Sequence, residues 1–213
     1  MTVVHVVRHG QVHNPTGILY GRLPGFGLSE LGQRMAAGLG EHFAQVPLTH
    51  LRSSPLQRAQ ETMAPIAAKH PDLEVVLDER IIEAANHFEG TRPSMSAGFM
   101  LNPRNWWWFR NPLRPSWGEP YTSILPRMRA AILDAAVAAG DGQAAVVSHE
   151  LPIWTLRRGT EGRPLFHHPG KRECALASVT SFVVVDGQIA GVSYAQPVGD
   201  LVPPKKKKWR PGQ

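Results

Sequence analysis

The chain has 213 residues, 42% of them apolar, enough for one compact domain with a core of its own. Its single cysteine, Cys174, excludes an intramolecular disulfide framework, and no Cys/His cluster has structural-zinc spacing. Of the net charge of +6, residues 205–210 supply +5, so the remainder of the chain is nearly neutral and is not built to wrap nucleic acid.

The elements follow in chain order. Residues 3–7 are β-branched at nearly every position and predict a strand buried on both faces. A polar loop with Asn14-Pro15 and several glycines spans 10–27. Ser29 is placed to cap a helix whose Leu31, Met35, Leu39 and Phe43 repeat at helical spacing. Residues 48–53 read as a short strand. Pro55 then opens a helix to about residue 70, which Pro65 should kink or shorten.

Residues 73–77 read as a strand. The stretch 84–121, rich in Pro, Asn, Gly and Trp, reads as an irregular insertion, with Trp106, Trp107, Trp108 and Phe109 packing it onto the body. An Ala-rich helix over 121–140, a buried strand over 144–148 and a short helix over 152–158 follow. Residues 179–185 and 188–194, joined by Asp186-Gly187, form a hairpin signal. The tail from Pro203 reads as disordered. The whole predicts an α/β three-layer sandwich: a mostly parallel sheet with an antiparallel edge strand, helices on both faces, and a single domain over 1–202. The N-terminus lacks the features of a signal peptide and no apolar run is long enough for a membrane span, so a soluble, cytoplasmic protein without membrane insertion is expected.

Three polar clusters fall at the C-terminal ends of predicted strands, where open α/β sheets place their ligands. They are Arg8-His9-Gly10, the run from Ser53 to Arg58, and Ser148-His149-Glu150. Two guanidiniums can fork a phosphate, and an imidazole can attack phosphorus. The neighbouring positive charge disfavours the protonated imidazole and keeps a lone pair free. The combination points to phosphoryl transfer through histidine.

The same residues resemble the histidine phosphatase superfamily, also called phosphoglycerate-mutase-like. Arg8-His9-Gly10 is similar to its RHG signature. Ser53-Ser54-Pro55-Leu56-Gln57-Arg58-Ala59-Gln60-Glu61-Thr62 is similar to its SSPLxRAxET block, and Val146-Val147-Ser148-His149 to its VSH block. Gly21-Arg22 with Leu28-Ser29-Glu30-Leu31-Gly32 resembles a fourth segment, and Gly118-Glu119 with Arg127 a fifth. The resemblance implies phosphorylation of His9 on a ring nitrogen. It also implies Arg8, Arg58 and His149 on the phosphoryl oxygens, and Glu83 as the acid that protonates the leaving group; Glu79 and Glu89 compete with Glu83 for that role. Asn14 is a further phosphate ligand by the same comparison, although it lies five residues after His9 where the family has six. The chemistry requires no metal or organic cofactor.

Other departures concern the pocket. Val12 stands where the family has Thr, and Glu150-Leu151 replaces Gly-Gly after the second histidine. Residues 84–90 replace a Gly-containing run, and the mutase-type Glu-Arg-His-Tyr-Gly is missing. The expected activity is therefore a metal-independent phosphatase acting on a small phosphomonoester through a phosphohistidine. A phosphomutase on the same site and a non-catalytic phosphate-binding module are the alternatives. His13 stands evenly between a pocket rim and solvent, Glu119 reads as an acid favoured by a helix dipole, and His167-His168 as a loop pair without metal. Cys174 reads as a small core residue. A homodimer, and weak polyanion binding by the lysine tail, are left open.

Overall fold

The computed structural model describes residues 1–92 and 118–202. The expected Trp106 to Phe109 packing and the basic tail lie outside them. Six strands form one sheet in the order β3-β2-β4-β1-β5-β6. These are β1 (Thr2–Arg8), β2 (Leu48–Ser53), β3 (Val75–Leu77), β4 (Gln143–Ser148), β5 (Val179–Val185) and β6 (Gln188–Ala195). Strands β1, β2, β3 and β4 pair in parallel, while β5 pairs antiparallel with β1 and with the edge strand β6. Among the described residues the α-helices are α1 (Glu30–Phe43), α2 (Gln57–Ala68), α3 (Tyr121–Ala139) and α4 (Glu150–Thr160).

The β-branched run of β1 sits near the sheet centre because it is covered twice. Val4 and Val6 pack with Ile124, Met128 and Ile132 of α3 and Ile153 of α4. Val7 packs on the other face with Met35 and Leu39 of α1 and Met63 of α2. The alternating side chains of β4 do the same, Ala144 and Val146 one way, Ala145 and Val147 the other. Two apolar layers with the sheet between them are the expected sandwich. The hairpin expectation also holds: Asp186 and Gly187 both take positive φ, 48° and 72°, the backbone of a two-residue turn matched to strand twist.

Three boundaries differ from expectation for local reasons. Strand β3 starts at Val75 because the Leu73 amide turns back to the His70 carbonyl (3.0 Å). Helix α2 runs through Pro65 and stops at Ala68. Helix α4 starts at Glu150, two residues early. Pro152 is its third residue, where no intrahelical N–H is required.

The loop after β1 is clamped to the start of α1. Ser29 accepts from the Gly32 amide (3.0 Å), and its own amide donates to the Gln11 carbonyl (2.9 Å). Gly32 lies so close that a Cβ there would fall 2.0 Å from the Gln11 carbonyl oxygen, and one on Gly10 would fall 2.7 Å from the Gly32 oxygen. Both obstacles are backbone. Gly32→Ala should therefore cost about 1–3 kcal/mol, as overpacking does. Urea melts check this; a stability equal to wild type would mean the loop is not clamped.

Candidate active site

Parallel strands β1, β2 and β4 end on one edge of the sheet, and each hands a charged or imidazole side chain to that edge. His9 follows β1, Arg58 lies in the first turn of α2 after β2, and His149 follows β4 as the residue preceding α4. Backbone bonds tie the strand ends together: the His9 amide donates to the Ser148 carbonyl (3.2 Å) and the Ser54 amide to the Val147 carbonyl (3.0 Å). All three side chains are almost fully buried, at 2%, 1% and 0% exposure.

His9 Nδ1 lies 2.8 Å from the Gly10 carbonyl, an oxygen that can only accept, so Nδ1 carries the proton. Nε2 is left with its lone pair and receives the Arg58 Nε–H at 3.4 Å. Burial first, then the charges of Arg58 and Arg8, hold His9 well below the usual imidazole range. His149 stands beside it, ring centroids 5.1 Å apart, and is held low by burial and by His9, Arg58 and Arg8. Its Nε2 meets the Ser54 hydroxyl at 2.8 Å, while its Nδ1 is buried without a partner among the described residues.

Both guanidiniums are held from behind. Arg58 donates Nη2 to the Gly21 carbonyl (2.7 Å) and stacks over the Tyr20 ring, 4.8 Å from its centroid. Arg8 donates Nη1 to the Cys174 carbonyl (2.5 Å) and Nη2 to Glu150 (2.9 Å); its Nε is buried and unpartnered among the described residues. The Cys174 thiol itself is buried and pushed up to about 12 by desolvation, which suits the expected core role.

Of the three competing carboxylates, only Glu83 lines the cavity that contains His9, a space of about 540 Å³. Burial raises it above the ordinary carboxylate range against the opposing pull of the Ala84 amide, Arg58 and Arg8. Glu79 and Glu89 line a neighbouring cavity. The turn carrying Glu83 is fixed by three donors. Ser148 Oγ holds the Ile81 carbonyl (2.7 Å), Arg127 the Ile82 carbonyl (2.9 Å) and Arg22 Nε the Glu83 carbonyl (2.6 Å). Glu119 joins Arg22 and Arg127 by ion pairs of 2.8 and 2.7 Å, so its work is to orient cations and not to face a helix dipole.

Asn14 is not brought into this cluster. Its amide donates to the Ile18 carbonyl (2.8 Å) and accepts from the Ile18 amide (3.3 Å), which closes the loop on itself. His13 is exposed and outside the cavity wall. His167 and His168, expected as a plain loop pair, do line the cavity with Arg172, and His167 Nε2 accepts from Arg172 Nε at 2.8 Å. Sequence reasoning also passed over Ser54, Tyr20 and Arg172. Ser54 lies inside the SSPLxRAxET-like block; Tyr20 and Arg172 carry no local signal.

Residues 4–196 match the sequence model of the histidine phosphatase superfamily (branch 1). The chain belongs to that family. It is 53% identical over 196 residues to Uncharacterized protein Rv0525 of Mycobacterium tuberculosis (strain ATCC 25618 / H37Rv), covering 92% of this chain and 96% of the other. Its fold is similar to that of Bacillus stearothermophilus YhfR, with a TM-score of 0.73, 23% identity and coverage of 89% and 96% of the two chains. It is also similar to an Entamoeba histolytica phosphoserine phosphatase in complex with 3-phosphoglyceric acid (TM-score 0.72, 21% identity, 92% and 99% covered). A mycobacterial glucosyl-3-phosphoglycerate phosphatase, Rv2419c, gives a TM-score of 0.67 at 24% identity, with 84% and 89% covered. Among the described residues no helix is long and apolar enough to cross a membrane.

The fold holds His9 and His149 neutral, whereas a histidine in the unfolded chain titrates near 6.5. Below about pH 6.5 the unfolded chain binds protons that the fold refuses, so stability is full above that value and falls as the pH drops further. Urea midpoints between pH 7.5 and 5 should decline, and His149→Asn should make the decline shallower. Parallel declines would mean that His149 titrates freely in the fold.

Proposed function

We propose that the chain is a metal-independent phosphatase that hydrolyses a small phosphomonoester through a phosphohistidine at His9. One observation carries this reading. A neutral imidazole whose unprotonated Nε2 takes only a long contact from Arg58 Nε–H (3.4 Å) is buried there, while Arg8 Nε and His149 Nδ1 lie buried nearby and unpartnered among the described residues. Buried polar atoms without partners are costly, and a bound anion would give each of these one. Ser54, donating its hydroxyl proton to His149 Nε2, leaves a proton on Nδ1 to face a phosphoryl oxygen.

His9 Nε2 attacks phosphorus and the ester P–O bond breaks. The Glu83 carboxyl gives its proton to the departing alkoxide. The Glu83 carboxylate then takes a proton from water, whose oxygen attacks phosphorus; the N–P bond breaks and inorganic phosphate leaves. The raised Glu83 suits both halves, since an acid that is too strong holds no proton to give. Arg8 and Arg58 neutralise the equatorial oxygens, the part that metal ions play in other phosphoryl transfers. The relatives of this fold that are named as phosphatases support hydrolysis over mutase transfer.

His9→Ala should abolish both turnover and an acid-labile, base-stable protein phosphate; label retained by the variant would sink the assignment. Glu83→Gln should slow alkyl phosphates by about 10²–10⁴-fold and p-nitrophenyl phosphate far less, because a good leaving group needs little protonation. Equal losses on both would make Glu83 structural. Activity in EDTA should stay within a factor of about two, since the guanidiniums carry the charge. Loss that Mg²⁺ or Zn²⁺ restores would contradict the mechanism.

A further inference from the structure

Glu150 stands in the wall of the His9 cavity between two guanidiniums. It is the first residue of α4, it lines the His9 cavity, and one of its oxygens meets Arg8 Nη2 at 2.9 Å while the other lies 3.7 Å from Arg172 Nη1. The chain thus places a carboxylate within reach of the phosphoryl seat itself.

The charges in the cavity can be counted. Arg8 and Arg58 flank His9, and together they match one phosphoryl dianion. Arg172 is the remaining guanidinium on the cavity wall among the described residues, and its nearest carboxylate is Glu150. Its other contacts are His167 and Tyr121, which burial holds uncharged near neutral pH. Arg22 and Arg127 are turned to Glu119 and to backbone carbonyls in the adjoining cavity. When a phosphoryl group takes the Arg8 fork, Glu150 still has Arg172 beside it.

We propose that Glu150 is a specificity-determining residue that restricts the site to phosphomonoesters of uncharged alcohols. With Glu150 beside Arg172 and Glu119 paired with Arg22 and Arg127, Arg8 and Arg58 beside His9 serve one phosphoryl group and no guanidinium among the described residues is left for a second anion. A carboxylate on the leaving alcohol meets a like charge where it would need a free guanidinium, and rejection of the wrong charge is a common source of selectivity. Removing the Glu150 charge would free Arg172 to take that carboxylate. The inference rests on the phosphatase reading of the same cavity and adds the chemical class of its substrate.

The test is a pair of substrates of the same configuration that differ at one group: sn-glycerol 1-phosphate, which ends in an alcohol, and D-3-phosphoglycerate, which ends in a carboxylate. Wild type should favour the alcohol in kcat/KM by about tenfold or more, the scale of one like-charge contact in a partly screened site. Glu150→Gln should shrink that ratio by about the same factor, mainly through a gain on 3-phosphoglycerate. Arg172→Gln, which leaves Glu150 with Arg8 as its one guanidinium partner among the described residues, should steepen it and serves equally if the first variant folds poorly. A wild-type preference for 3-phosphoglycerate, or a ratio unmoved by either variant, overturns the proposal. Calorimetric binding of the same two compounds separates the two levels. Wild type that hydrolyses neither ester nor the activated p-nitrophenyl phosphate contradicts the phosphatase reading, and the ratio of the two Kd values then decides the charge preference alone.

Discussion

An imidazole buried between two guanidiniums cannot easily hold a second proton. That constraint organises the rest of the molecule. His9 pays for its neutrality with the loss of water around it, and the Gly10 carbonyl then decides which nitrogen is bare. The guanidiniums that enforce this state are also the groups an incoming phosphoryl dianion needs. In the proposed reaction the same electrostatics prepares the nucleophile and the seat for its target, before any substrate arrives.

Most of the surrounding structure keeps that triangle from relaxing. Arg58 is drawn toward the Gly21 carbonyl and the Tyr20 ring, and Arg8 toward the Cys174 carbonyl and Glu150, so neither can withdraw from His9 by rotating into solvent. The strand ends are joined across β1, β2 and β4 by backbone hydrogen bonds, and Thr62 accepts from the Gly10 amide while donating to the Arg58 carbonyl, which links the loop after His9 to the helix carrying Arg58. Farther out, Arg22, Glu119 and Arg127 hold the turn of Glu83 at the cavity wall. Rigid backbone under a charged site is what preorganisation requires.

How much of this the sequence disclosed follows from the range of each interaction. The β1 run, the Ser29 cap and the Asp186-Gly187 turn are local: a few neighbouring residues determine them, and they were legible. Pro152 marked the wrong helix boundary, because its tolerance in a first turn allows the helix to begin before it. The site divides in the same way. Arg8, His9, Arg58 and His149 each end a strand or begin a helix, so order along the chain predicts that they meet. Asn14 was implied by the family resemblance at a position one residue out of register, and there the loop satisfies the Asn14 side-chain amide itself. Arg172 lies on a loop 163 residues from His9 in sequence, and only the tertiary fold brings it to the cavity. Gly10 and Gly32 are intermediate: both stand in recognisable segments, but their reason, backbone touching backbone, appears only once the loop is seen against α1.

The central claim is that a phosphoryl group sits on His9 Nε2 with its oxygens on the two guanidiniums and on His149. A crystal structure of the wild-type chain with orthovanadate, which mimics five-coordinate phosphorus, tests it most directly. The account predicts vanadium bonded to His9 Nε2, Arg8 Nε and Arg58 donating to vanadate oxygens, His149 Nδ1 donating to another, and Glu83 facing the apical oxygen opposite His9. Vanadium on Nδ1, or vanadate held away from His9 by other residues, would contradict it.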